Sequence, residues 1–183
     1  MPQSKTRCFV SLTLPRNIID EIVNLQNRIK QAGLIGGKYT TPSNIHLTLK
    51  FLGEITDEQI HWVDQALSQI TVEPFNVKLG VAGVFSKRHI RIIWMHLIGA
   101  EAIQKQVDNA LSERFKTEER FMSHITMARV KYLKQENSRV LTYLDELSYE
   151  PHEATINSFI LKKSVLTPKG PIYENLKIYS AKR

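Results

Sequence analysis

A chain of 183 residues with 42% hydrophobic content is long enough to bury a substantial core, and it fits one domain, 1–183, better than two independent ones. Its formal charge of +7 sets up a positive mean field that concentrates polyanions, although the same charge also serves plain solubility. No apolar run approaches a membrane span, Met1-Pro2-Gln3-Ser4-Lys5 lacks the apolar centre of a secretory signal, and the single cysteine, Cys8, has no partner for an internal disulfide. These features argue against a helical membrane protein and a disulfide-stapled scaffold, and predict a soluble, cytoplasmic chain.

The first predicted element is a strand from Arg7 to Leu14, rich in strand formers and stopped by Pro15; Cys8 falls inside it as a packed side chain rather than a reactive thiol. Ile18, Ile19, Ile22, Leu25, Ile29 and Ala32 recur at three- and four-residue intervals and predict a helix that stops at Gly33. Gly36-Gly37-Lys38 reads as a flexible turn, and Ile45 to Leu52 as a strand broken by Gly53. Thr56 to Ile70 reads as a helix with Thr56 capping its acidic first turn. A strand over Phe75 to Val84 follows. Then the order recurs: a strand over Ile90 to Ile98, an amphipathic helix over Ala100 to Phe115, and a strand over Phe121 to Tyr132. A helix over Gln135 to Leu147 and strands over Ala154 to Ser164 and Ile172 to Ser180 complete the chain. No Pro-, Gly- or Ser-rich linker separates the halves. The pattern predicts an α+β architecture of two related lobes, with helices backing two sheets of mainly antiparallel strands.

His46-Leu47-Thr48-Leu49 and His124-Ile125-Thr126-Met127 share the form His-x-Thr-apolar and fall at matching points of the repeated order. Alternation along a strand puts each histidine on the same face as its threonine, with the intervening apolar residues on the other. One histidine on a strand is more often a hydrogen-bonded structural residue. Two in matching contexts favour function. Phosphodiester hydrolysis needs one group to take a proton from water and another to give one to the departing oxygen. Imidazole does either near neutral pH, each transfer being worth roughly a hundredfold to ten-thousandfold. Thr48 and Thr126 would supply donors for the charge growing on the phosphoryl oxygens. A strained 2′,3′-cyclic ester is already activated, so this set could suffice without a metal.

The paired motifs, the run Asn44-Ile45-His46-Leu47-Thr48-Leu49-Lys50-Phe51-Leu52-Gly53 and the tail Leu166-Thr167-Pro168-Lys169-Gly170-Pro171-Ile172-Tyr173-Glu174 resemble the 2H phosphoesterase superfamily. Within it the likeness is to the RNA 2′,3′-cyclic phosphodiesterases, historically called 2′-5′ RNA ligases, and it covers nearly the whole chain. The resemblance implies a bilobal fold with a pseudo-twofold axis and a basic cleft, each lobe carrying one motif. It also implies hydrolysis of the cyclic ester to a 2′-phosphomonoester, with weak reverse 2′-5′ ligation. By position, His46 matches the family's proton donor to the 3′-oxygen, His124 its proton acceptor, and Thr48 and Thr126 its phosphate-contacting threonines. Arg129 matches an arginine that clamps phosphoryl oxygens. In a flat strand Arg129 would point away from His124 and Thr126, so the chain must twist or bulge after Met127 if it is to reach the cleft. Ser123 stands where the family usually has proline, which predicts a looser placement of His124.

Other candidates are weaker. Lys87, Arg88, His89 and Arg91 cluster at a strand entry, and Arg88 and Arg91 are candidates for RNA contact, though a solvated loop explains them equally well. Of Tyr39, Phe51, Tyr132 and Tyr173, Tyr173 is the candidate for stacking on a terminal base. His61, His96 and His152 show no ligand spacing, so neither a metal nor a cofactor is expected. There is no phosphate-binding glycine loop and no adenylation lysine motif. The expected partner is RNA with a 2′,3′-cyclic phosphate end, tRNA fragments being one source, and the chain is expected to act as a monomer. Two readings compete: a non-catalytic RNA-end-binding protein, and a phosphodiesterase for small cyclic nucleotides.

Overall fold

The computed structural model describes residues 4–168 and 170–181; Met1 to Gln3, Lys169, Lys182 and Arg183 lie outside them, including the first three residues of the signal reading and one residue of the tail motif. The first half contains β1 (Lys5–Thr13), α1 (Arg16–Gln31), β2 (Ile35–Tyr39), a single 3-10 turn (Pro42–Asn44), β3 (His46–Thr56) and α2 (Asp57–Ser68). Then come β4 (Phe75–Val84), β5 (Ile92–Ile98), α3 (Glu101–Ala110), β6 (His124–Leu133) and α4 (Asn137–Asp145). The last strands are β7 (Glu153–Ile156), β8 (Ser158–Thr167) and β9 (Gly170–Ser180).

The α+β class follows from how these elements cover one another. The strands form a nine-stranded antiparallel sheet in the order β7-β4-β5-β6-β3-β1-β8-β9, with β2 also pairing to β6. Two sheets are expected; instead the sheet is continuous, with β3 and β6 meeting at one pair, Leu47 opposite Ile125, while β2 pairs with β6 and β1 with β8. Leu47 and Ile125 are fully buried, as are Val10, Leu12, Ile93 and Met95 on neighbouring strands, and this apolar face receives the helices. The stripe Ile18, Ile22, Leu25 and Ile29 of α1 is buried as the spacing predicts, each side chain contributing about 1.5–3 kcal/mol of transfer free energy. Thr56 caps α2 reciprocally: its hydroxyl accepts from Gln59 N–H at 3.3 Å while Gln59 Oε1 accepts from Thr56 N–H at 2.9 Å.

Helices from each half brace the other. Gln26 of α1 donates to the main-chain oxygens of Thr40, at 2.9 Å, and Met127, at 2.8 Å. Lys50 of β3 forms a buried ion pair with Asp108 of α3. Three sequence readings need correction. Gly36-Gly37-Lys38 is strand, because the bare glycines let the Tyr132 ring and the Arg129 carbonyl approach where a side chain would overlap them. Gly53 does not end β3; at φ 75° it lets the strand continue through an irregular register to Thr56. Ala154 to Ser164 is two strands, since β7 pairs with β4 and β8 with β1.

Candidate active site

The single pair between β3 and β6 sets the site. Because β3 and β6 run antiparallel about Leu47 and Ile125, His46 lies beside Thr126 and His124 beside Thr48. All four side chains are half-buried on the face opposite the helices.

Past each threonine the strand bulges at an equivalent point. On β3, Ser11 opposes Thr48 but Val10 opposes Lys50, which leaves Leu49 as the extra residue. On β6, Trp94 opposes Thr126 but Ile93 opposes Ala128, which leaves Met127 as the extra residue. Burial then runs identically along His46–Leu52 and His124–Val130, with two consecutive buried residues before an exposed one. The bulges turn Phe51 and Arg129 onto the histidine face, where a flat strand would not put them. Gln26 holds the carbonyl of bulge residue Met127, and Asp108 holds Lys50, the residue after bulge Leu49.

Both imidazoles are fixed in the same way. His46 Nδ1 lies 2.7 Å from the carbonyl oxygen of Asn44, and His124 Nδ1 lies 2.7 Å from that of Met122. A carbonyl only accepts, so each Nδ1 carries a proton and donates it, leaving Nε2 as the reactive nitrogen. The Thr48 hydroxyl lies 3.1 Å from His46 Nε2. An aromatic edge flanks each ring: Tyr173 at 5.1 Å from His46, and Phe85 at 4.9 Å from His124. Burial holds His46 down to about 4; the Asn44 carbonyl opposes this, and the charges of Lys162, His124 and Arg129 add to it. Burial also pushes the Tyr173 hydroxyl up, partly offset by Arg129 and Arg7.

Two donors on this face are left over. Ser11 Oγ, opposite Thr48, and Trp94 Nε1, opposite Thr126, are buried with no hydrogen-bond partner among the described residues. Threonine hydroxyls and cations on one face suit an oxyanion.

The structure thus brings together His46, Thr48, His124, Thr126, Arg129 and Tyr173. Arg91 lines a groove with Arg129. Arg88 is exposed in the loop after β4, its carbonyl held by Asn137 at 3.0 Å. Ser123 is not loose: it is buried, its hydroxyl donates to the Leu97 carbonyl, and its own carbonyl accepts from Leu97 N–H at 3.4 Å. Sequence reasoning missed Phe9, which lies 5.2 Å from the His46 ring, Phe85, and Lys162, which opposes Phe9 on β8. It also set aside His96, which opposes His124 on β5. Only long-range pairing brings these four to the site; alternation could have assigned Lys162 to the face opposite Leu161 but not placed it near His46.

Comparison with known proteins gives concordant results. The family model described as LigT-like phosphoesterase matches residues 12–94 and 98–173. A Methanocaldococcus jannaschii protein named RNA 2′,3′-cyclic phosphodiesterase is 33% identical over 93% of this chain and 98% of its own length. An Archaeoglobus fulgidus protein of the same name is 30% identical over 94% of this chain and 99% of its own. Among solved structures, TT0787 of Thermus thermophilus aligns with a TM-score of 0.80 and 25% identity over 95% of this chain and 97% of that one.

Proposed function

The chain belongs to the LigT-like phosphoesterase family, and from that premise we propose that it opens the 2′,3′-cyclic phosphate at an RNA end to a 2′-phosphomonoester. The single observation that carries the reading is the matched pair of imidazoles, each with Nδ1–H given to a carbonyl and Nε2 left for proton transfer. In the proposed reaction His124 takes a proton from water as its oxygen bonds to phosphorus. The bond from phosphorus to the 3′-oxygen breaks, and His46 supplies the proton that oxygen needs. The hydroxyls of Thr48 and Thr126 and the guanidinium of Arg129 face the phosphoryl oxygens. With the 5′-hydroxyl of a second RNA in place of water, the same proton transfers and loss of the 3′-oxygen give a weak 2′-5′ ligation.

His46 must be protonated to act as the acid, yet burial keeps it neutral in the free protein. The proposal therefore has the substrate complete the acid: a phosphodiester anion offsets Lys162, Arg129 and His124 and favours the imidazolium. We further propose that the chain is one domain of two pseudo-repeated lobes, acting as a monomer on RNA. No described helix is long and apolar enough to cross a membrane.

The test is to incubate the protein, with excess chelator, with a short RNA ending in a 2′,3′-cyclic phosphate. Conversion to the 2′-phosphate, reduced about a hundredfold to ten-thousandfold in both His46→Ala and His124→Ala, is expected. Tight binding without turnover would instead make it an RNA-end-binding protein.

A further inference from the structure

Beyond their shared pair the two histidine strands diverge, and β2 takes the place beside β6 that β3 leaves. Lys38 of β2 lies opposite Arg129, while on the other flank of β6 the Arg91 carbonyl accepts from Val130 N–H at 2.8 Å. Gly37, Lys38, Arg91, Arg129 and Lys131 line a cavity of about 490 Å³ at this corner, and no carboxylate lines it. Some cations elsewhere are matched with acids, as in Lys163 with Glu174 and Lys177 with Asp64, while others, such as Lys87 and Arg88, form no ion pair with the described residues. Among the described residues none of the four groove cations has an ion-pair partner. Four unmatched positive charges in one groove repel one another, and a polyanion relieves that repulsion.

The groove lies on one side only. Counting along β6 from the shared pair, Arg129 lies past Thr126, on the side of the site that holds His46 and Tyr173, and its charge acts on both. The equivalent position in the other half holds Phe51, 71% exposed and uncharged, past Thr48 on the His124 side. If His46 protonates the 3′-oxygen, the sugar and everything 5′ of it lie toward His46, which is where the groove opens. We propose that this groove seats the RNA backbone 5′ of the cyclic end, with Arg129 at its inner end and Lys38, Arg91 and Lys131 holding phosphates further along. The inference rests on the phosphodiesterase reading and narrows its substrate class: oligoribonucleotides rather than nucleoside cyclic phosphates.

The experiment compares a hexaribonucleotide with a 5′-hydroxyl and a 2′,3′-cyclic end against a nucleoside 2′,3′-cyclic monophosphate, in wild type and in Lys38→Ser/Lys131→Ser. In wild type kcat/KM should favour the hexamer at least tenfold at low salt and lose that preference as salt rises. The double variant should narrow the ratio severalfold. Its log Kd for the 2′-phosphate hexamer should rise less steeply with log salt, by about 0.7 for each lysine removed. Wild type that hydrolyses both substrates equally well overturns the groove alone, as does an unchanged ratio and slope in a double variant with wild-type circular dichroism. Equal loss on both substrates would assign the lysines to the reacting centre and also overturn it. Wild type that hydrolyses neither overturns the reading beneath it.

Discussion

His46 and His124 hold Nδ1 at the same 2.7 Å from a carbonyl oxygen two residues earlier in the chain, so the two rings offer the same nitrogen to one cleft. They differ in what surrounds them, because burial holds His46 down to about 4. An ordinary histidine titrates near 6.5, so between about pH 6.5 and 4 the unfolded chain binds this proton and the folded one does not. His46 therefore makes the fold lose stability as pH falls through that window. His46→Gln should flatten that part of a stability-against-pH curve. In the proposed reaction a bound phosphodiester anion acts on the ring in the opposite direction. An NMR titration should show His46 rising by at least one unit when a 2′-nucleotide is added, and the falling limb of kcat should sit at higher pH than that of kcat/KM. If His46 stays near its free value in the complex, the roles exchange: His124 becomes the acid and His46 the base.

Arg129 reaches the cleft face only through the bulge at Met127, and its planar fork can meet two phosphoryl oxygens at once. Arg129→Lys keeps the charge and loses the second contact. We expect kcat/KM on the cyclic substrate to fall by about tenfold to a hundredfold, in line with roughly 1.5–3 kcal/mol for a charge-assisted hydrogen bond. Arg129→Ala should fall further. A lysine variant with wild-type kinetics would show that charge alone is used there.

The repeated His-x-Thr-x pattern is local, so residue spacing was enough to find both motifs, and the stripe of α1 follows its helical period for the same reason. Arg129 shows where local reasoning stops. Strict alternation turns it away from His124, and nothing in Thr126-Met127-Ala128 announces the extra residue; Gln26, a hundred residues earlier, holds it. The strand at Gly36-Gly37 was hidden because glycine is a poor strand former on its own, yet there it makes room for Tyr132 and the β6 backbone. Lys162, Phe9 and Phe85 join the site through pairings distant in the chain, and no short window of sequence contains those pairings.

Ser123 precedes His124 and ties β6 to β5 through its hydroxyl and its carbonyl. Ser123→Ala leaves the Leu97 carbonyl short of a buried donor and should cost about 1 kcal/mol, read as a lower urea midpoint. It also frees the peptide that positions His124, so kcat should drop severalfold with KM little changed. Equal stability and equal kcat would show that strand pairing alone places His124.

Lys50 follows the bulge at Leu49 and turns into the core, where it pairs with Asp108 and donates to the Lys116 carbonyl at 2.7 Å. Asp108 in turn accepts from Glu118 N–H at 2.8 Å, so the pair pins the segment leading toward His124 against β3. Both side chains are nearly inaccessible, 5% and 9% exposed, and removing one partner strands a buried charge. Lys50→Met should therefore destabilise the fold by about 3–5 kcal/mol, and Lys50→Met/Asp108→Leu should regain much of that, because two apolar side chains need no compensation. Urea unfolding of wild type and the two variants measures both effects. A single variant within 1 kcal/mol of wild type would mean that Asp108 finds water once the lysine is gone, and that the bulge at Leu49 does not depend on the ion pair.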